Sequence, residues 1–216
     1  MLRSYIDHIV ITAPSLAEGA AYVESVLGVA PQPGGEHTRM GTHNMVLRLG
    51  DDVYLEVIAI NPKALPLDRP RWFELDGSPS RSPRLATWVA RANNIYDACA
   101  ASPLSLGNIE AMTRGELQWK ISIPADGRLA MQGIAPALIQ WETDTHPAGG
   151  MPDAGCSLVR VEAFHSDVQA GRDLLEKIGF EGPLDVLPAD AGKPVHLVAY
   201  IQTPSGLRQL GGLAAS

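Results

Sequence analysis

The sequence predicts an α+β fold assembled from one repeated unit, a strand followed by a helix and then two or three more strands. Three observations predict it. Apolar runs of strand length alternate with stretches that carry a helical apolar stripe. Gly (21) and Pro (17) are frequent, which marks many turns between short elements. The strand-to-helix step also occurs three times along 216 residues, at a spacing of about 75 residues. Such units are too long and too mixed for a solenoid.

Taken in order, the first strand is "YIDHIVITA", apolar on both faces around His8. In "PSLAEGAAYVESVLG", Ser15 is the expected N-cap, with Glu18 three residues later as in a capping box. Ala17, Ala20, Ala21, Val23 and Leu27 form the apolar stripe, and Gly28 ends the helix. "HNMVLRLG" and "VYLEVIAI" read as a hairpin around "GDD". A long loop, "NPKALPLDRPRWFELDGSPSRSP", precedes the second strand-to-helix step, "RLATWVARANNIYDACAAS", and "QWKISIPA" and "PALIQWET" supply further strands. The third step lies in "SLVRVEAFHSDVQAGRDLLEKIGF", with Asp167 as its cap, and "VHLVAYIQTPSGLRQLG" closes as a hairpin. The expected divisions are a first unit at 1–62, a loop at 63–83, a second unit at 84–147 and a third at 156–212.

Bulk properties exclude several partners. Net charge is −7 and no basic run is present, so nucleic acid and anionic membrane are poor partners. No apolar run is long enough to span a bilayer. The start, "MLRSYIDH", enters a strand pattern directly, without a signal-peptide pattern. Cys99 and Cys156 are far apart, which fits a reducing compartment. A cytoplasmic protein, monomeric or homodimeric, acting on or binding a small molecule is expected.

Two residues break the apolar pattern: His8 in the first strand and Glu56 inside "VYLEVIAI". Superposing the repeats puts Thr87 where His8 stands and Gln140 where Glu56 stands, with Arg160 and Gln209 as the third-unit counterparts. Burying an unpartnered polar group costs about 1–3 kcal/mol. Polar residues recurring in register among apolar neighbours therefore point to a shared polar cleft. No GxSxG, P-loop, HExxH or post-strand GxGxxG motif is present.

Several segments carry a family likeness: "DHIVI", "GVAPQPGGEHTRMGTHNMVLRLGDDVYLEVIAINP", "RPRWFELD", "ALIQWETDTHPA" and "TPSGLRQLG". Across nearly the whole chain the sequence resembles the glyoxalase-like domain family of the vicinal-oxygen-chelate superfamily. The resemblance implies βαβββ modules whose curved mixed sheets wrap a cleft, with the first and last strands of a module side by side. It implies His8 and Glu56 as ligands of a divalent metal, and a lyase, isomerase or dioxygenase chemistry; metal-free binding proteins of the bleomycin-resistance type share the superfamily. A full site would draw ligands from two modules. Gln140 can ligate through oxygen, and Arg160 cannot.

The residues leave two readings of His8 and Glu56 open, a metal site or a buried hydrogen-bonded pair. With waters, such a pair suits Zn, Mn, Fe or Ni. Glu56 is also the candidate general base, because an apolar cleft raises a carboxyl pKa unless a cation opposes it. Hairpin length decides which residue of "GTHN" joins Glu56. A two-residue "DD" turn brings in His43, as third ligand or acid/base partner; a three-residue "GDD" loop brings in Asn44. His43 is preferred here as the commoner ligand type. Asn44, Arg48, Trp119 and Gln140 are the candidate substrate contacts. Trp141 is a second aromatic candidate, and Arg71, Trp72 and Phe73 belong to a loop that can close over a pocket. His37, His146, His165 and His196 are expected at the surface.

Overall fold

The computed structural model describes residues 1–77 and 82–213; the stretch 78–81 of the expected loop lies outside them. Each strand-to-helix step forms where its caps stand. β1 (Ser4–Thr12) leads into α1 (Leu16–Leu27), where Ser15 Oγ accepts from the Glu18 amide and Gly28 ends the helix in the left-handed region at φ 71°. β2 (Gln32–His37), β3 (Thr42–Arg48) and β4 (Tyr54–Ile60) follow. The second step is β5 (Arg84–Ala92) into α2 (Ile95–Ala101), capped by Asn94, then β6 (Asn108–Arg114), β7 (Leu117–Ile123) and β8 (Ala137–Trp141). The third is β9 (Ser157–His165) into α3 (Val168–Lys177), with Asp167 accepting from the Ala170 amide, then β10 (Leu184–Pro188), β11 (His196–Thr203) and β12 (Gly206–Gly211).

The first eight strands form one mixed sheet in the order β2-β3-β4-β1-β5-β8-β7-β6. β1 runs parallel to β4 and β5 parallel to β8, and the two halves meet where β1 pairs antiparallel with β5. The sheet curls until its edges approach. Arg39, just past β2, reaches the Ala111 carbonyl (3.1 Å) and Glu110 (2.6 Å) on β6. The fold is the α+β, glyoxalase/dioxygenase-like architecture.

Strand alternation divides the apolar residues between two faces. On the convex side Ile9, Ile11, Leu55 and Trp88 pack with Val23 and Leu27 of α1 and with Val161, Leu174 and Leu197 of the third unit. The concave side holds Val10, Ile58, Val89, Ile121 and Ile139, with Trp72 and Phe73 over them. The second sheet, that of the third unit, has the order β10-β9-β11-β12. Its first and last strands are not neighbours, so Arg160 and Gln209 cannot stand side by side as His8 and Glu56 do. Arg160 instead binds Glu162 (3.1 Å) and stacks 3.6 Å from the Tyr200 ring, while Gln209 is exposed. The third unit therefore supports the back of the large sheet and adds nothing to the concave side.

Candidate functional site

The parallel pairing of β1 with β4 sets Val10 opposite Glu56, which puts His8 and Glu56 on the same face, one step apart. His8 Nε2 lies 3.6 Å from Glu56 Oε2, and both residues are buried. Asp7 joins them through an irregularity. β1 pairs Ile6 with Ala90 and His8 with Val89, which leaves Asp7 without a partner in a bulge. A bulge re-aims a side chain. Asp7 turns inward beside His8 instead of alternating outward, and its Oδ1 takes the hydrogen bond from His8 Nδ1 at 2.7 Å.

Asp7 is fully buried and holds three donors. Its Oδ2 accepts from Trp141 Nε1 (2.8 Å) and from His146 Nε2 (3.0 Å). The His146 tautomer follows from its other nitrogen, which accepts from the Ala148 amide (3.2 Å) and leaves the proton on Nε2. Burial alone pushes the Asp7 carboxyl up, but the hydrogen bonds from His146 and His8 hold it well below the usual carboxylate range. Asp7 is thus an anion that fixes His8 with Nδ1–H inward and Nε2 toward Glu56.

Glu56 has its own holder. The β3–β4 hairpin closes with the Leu49 amide bonded to the Val53 carbonyl, so Gly50, Asp51 and Asp52 form a three-residue loop and Val46 pairs with Glu56. Asn44 therefore shares Glu56's face and His43 does not, contrary to the preference for His43. One residue of register moves every side chain of a strand to the other face. Asn44 Nδ2 donates to Glu56 Oε1 at 2.6 Å, and Asn44 Oδ1 accepts from the Gly35 amide at 2.7 Å. Two glycines make this possible. A Cβ on Gly34 would lie 2.1 Å from Asn44 Oδ1, and one on Gly35 would lie 2.8 Å from Arg114 Cδ.

Arg114 enters from the far edge strand, β6. Its Nη1 donates to His37 Nε2 (3.2 Å) and lies 3.5 Å from Asn44 Oδ1. His37 in turn points Nδ1 at Thr42 Oγ1 (3.2 Å). Burial, with Arg114 beside it and against the pull of Glu56, lowers the His37 pKa from 6.5 to about 4, so the ring is neutral and accepts from Arg114. The Tyr54 ring stacks on His8 at 4.5 Å, and burial, with Asp7 and Glu56 nearby, raises its phenol well above 10.0. Trp72, Phe73, Trp119, Ile121, Ile139 and Trp141 complete the walls of an empty volume of about 350 Å³.

The remaining expected contacts lie elsewhere. His43 is half-buried on the opposite face of β3 from Glu56. Arg48 shares Asn44's face but sits at the hairpin end, where it folds onto Gly50 O (3.1 Å) and Asp51 (2.7 Å). Gln140 alternates with the wall residues Ile139 and Trp141, so it points to the helix side and accepts from the Ile95 amide at the start of α2 (2.9 Å). Thr87 is buried and donates to the Gly133 carbonyl (3.1 Å). Trp119 does line the cleft. His37 and His146, expected at the surface, are both in the site.

The donor set falls short of a divalent-metal site. Two ligand atoms converge, His8 Nε2 and Glu56 Oε2. No group of three His, Cys, Asp or Glu residues among the described residues could hold an ion, whereas catalytic zinc sites use three protein ligands. Asn44 and His37 are committed to other partners, and Ile139, Trp119 and Trp141, which line the cleft from β7 and β8, offer no metal ligand. The Arg114 cation also opposes a second positive charge.

Residues 6–179 match the sequence model of the glyoxalase-like domain. The chain belongs to the glyoxalase-like domain family. No curated protein sequence matches this glyoxalase-like chain significantly. Among solved structures it is similar to a hypothetical protein from Staphylococcus aureus, at 11% identity and TM-score 0.60, over 86% of this chain and 87% of that one. It is also similar to the Mn(II)-bound glyoxalase from Novosphingobium aromaticivorans, at 10% identity and TM-score 0.44, over 94% and 80%. Methylmalonyl-CoA epimerase from Mycobacterium tuberculosis is another similar structure, at 13% identity and TM-score 0.40, over 63% and 85%. The likeness to the Staphylococcus aureus protein is one of fold. Among the described residues, no helix is long and apolar enough to cross a membrane.

Proposed function

We propose that this glyoxalase-like protein is an enzyme of the isomerase or lyase class that moves a proton on a small carbonyl- or carboxyl-bearing molecule. One observation carries the reading: two proton-carrying groups, Glu56 and His8, stand 3.6 Å apart on the floor of an aromatic cleft, and each is oriented by its own dedicated partner. General acid–base catalysis needs positioned groups of this type. Glu56 takes the proton from a carbon next to the carbonyl, and the C–H electron pair moves onto the carbonyl oxygen as an enolate. The proton returns from Glu56 to carbon in an isomerisation, or a leaving group departs with the electron pair in an elimination. His8, held by Asp7, is the second proton carrier. Arg114 faces the developing negative charge from the wall. No step is routed through a metal, because the donor set does not hold one.

The test is solvent exchange. A panel of small enolisable carboxylic and 2-oxo acids is incubated with the protein in D₂O and followed by proton NMR. Deuterium incorporation above the protein-free rate, abolished in Glu56→Gln while binding persists, is the expected result. Binding without exchange across the panel overturns the enzyme reading. It would leave a metal-free sequestering protein, which the Trp-walled cleft and Arg114 equally suit.

A further inference from the structure

Trp72 and Phe73 are the wall between two cavities. On one side is the volume of about 350 Å³ that holds His8, Glu56 and Arg114. On the other is a volume of about 380 Å³ whose lining includes Leu106, Ile121, Leu129, Ala130 and Ala135. One cavity is polar at its floor; the lining of the other is mostly apolar, with Thr87, Ser122 and Arg128 also part of it.

This partition is built at a cost. Phe73 and Glu74 have φ of 57° and 55°, a left-handed backbone that residues other than glycine rarely adopt. The partition also buries two donors, Trp72 Nε1 and Arg71 Nε, that find no hydrogen-bond partner among the described residues. Strained backbone and unsatisfied donors together mark a segment held in place by its surroundings, as at ligand clamps. Its holding contacts include a neighbouring loop and β5: the Glu74 amide donates to the Gly127 carbonyl (2.9 Å), Glu74 Oε1 accepts from the Leu129 amide (3.2 Å), and Glu74 Oε2 lies 3.6 Å from Arg84. Arg114 adds the complementary charge. It bonds to His37 and Asn44 and forms no ion pair with a carboxylate among the described residues. Arg114 also borders an open groove past Gln32, Pro33, Thr145 and Met151.

We infer that the cleft takes a monocarboxylate with an extended apolar tail. The carboxylate sits on Arg114, and the tail displaces the Trp72–Phe73 partition to join the two cavities. This deepens the small-molecule reading given above and rests on it. A short acid would reach Arg114 and leave the partition closed. A longer one would replace strained contacts with apolar burial along Leu106, Leu129 and Ala130.

The probes are acetate, butyrate, hexanoate and octanoate, with octanamide as the uncharged control, titrated against the full chain by calorimetry and tryptophan fluorescence. Affinity is expected to climb from butyrate to octanoate by about fourfold per methylene, the gain for full burial. Octanamide should bind at least tenfold more weakly than octanoate, and Arg114→Met should erase that difference. Ala137→Leu, which fills the second cavity from β8, should leave butyrate unchanged and remove the gain beyond it; Ala130→Leu serves the same purpose if that variant fails to fold. Affinity independent of chain length, or octanamide binding as tightly as octanoate, overturns the inference. The readout is binding alone. Tight octanoate binding without deuterium exchange on any acid therefore sinks the enzyme reading and spares this one, and exchange on short acids with flat chain-length dependence does the reverse.

Discussion

Acidification should weaken this fold through His37, and the size of the effect can be worked out. His37 is buried against Trp72 and Arg114 with its pKa lowered from 6.5 to about 4. In the unfolded chain the same ring titrates near 6.5. Above pH 6.5 neither state holds the proton, and His37 contributes nothing to pH dependence. Between 6.5 and 4 the unfolded state takes up a proton that the folded state refuses, so stability falls as pH falls. One proton changes stability by about 1.4 kcal/mol per pH unit in that window. Lowering the pH from 7 to 5 should remove about 2 kcal/mol, and the full effect below pH 4 is about 3 kcal/mol. For a chain of this length 2 kcal/mol is about 4–8 °C in melting temperature. Burial also lowers the half-exposed His43, which adds in the same direction, and Asp7 adds a further loss only under more acidic conditions. The assay is urea unfolding of wild type and His37→Gln at pH 7, 6 and 5. The variant should be less stable at pH 7 yet lose about 2 kcal/mol less between pH 7 and 5. Parallel pH curves for the two proteins would refute the buried, neutral ring and with it the hydrogen bond that orients Arg114.

Further outcomes follow from the geometry. Asp7→Asn replaces one acceptor oxygen with an amide donor facing donors, so stability should fall by about 3 kcal/mol, and the pH profile of deuterium exchange should shift as His8 loses its anchor. Gly34→Ala drives a Cβ to 2.1 Å from Asn44 Oδ1 and should cost about 1–3 kcal/mol in urea unfolding. Gly149→Ala, with open space around it, should be near neutral. His43→Ala should change stability by under about 0.5 kcal/mol and leave carboxylate affinity unaltered, whereas Asn44→Ala should reduce exchange because Glu56 loses its holder; equal effects would contradict the three-residue hairpin. Adding Mn²⁺, Zn²⁺ or Ni²⁺ should leave the melting temperature unchanged, since specific binding to the folded state would raise it; a rise abolished in His8→Ala would restore a metal site.

The alternation of strand and helix, the caps at Ser15 and Asp167 and the end at Gly28 were readable in the sequence because each depends on a few adjacent residues. His8 and Glu56 stood out for a related reason: a polar residue inside an apolar strand needs a partner, and the family likeness supplied the strand pairing that brings the two together. The other half of the site was not readable. Asp7 lies next to His8, and simple alternation sends it to the opposite face; the bulge against β5 turns it inward. His43 and Asn44 differ by one residue of hairpin register, which either loop length was consistent with. Arg114 reaches Asn44 only because the sheet curls until β6 meets β2, across 70 residues of chain. Local order is set by short-range sterics and apolar periodicity, which a linear pattern records. Which side chains converge is set by bulges, loop lengths and the closure of the sheet, and those are decided by packing between segments far apart in the chain.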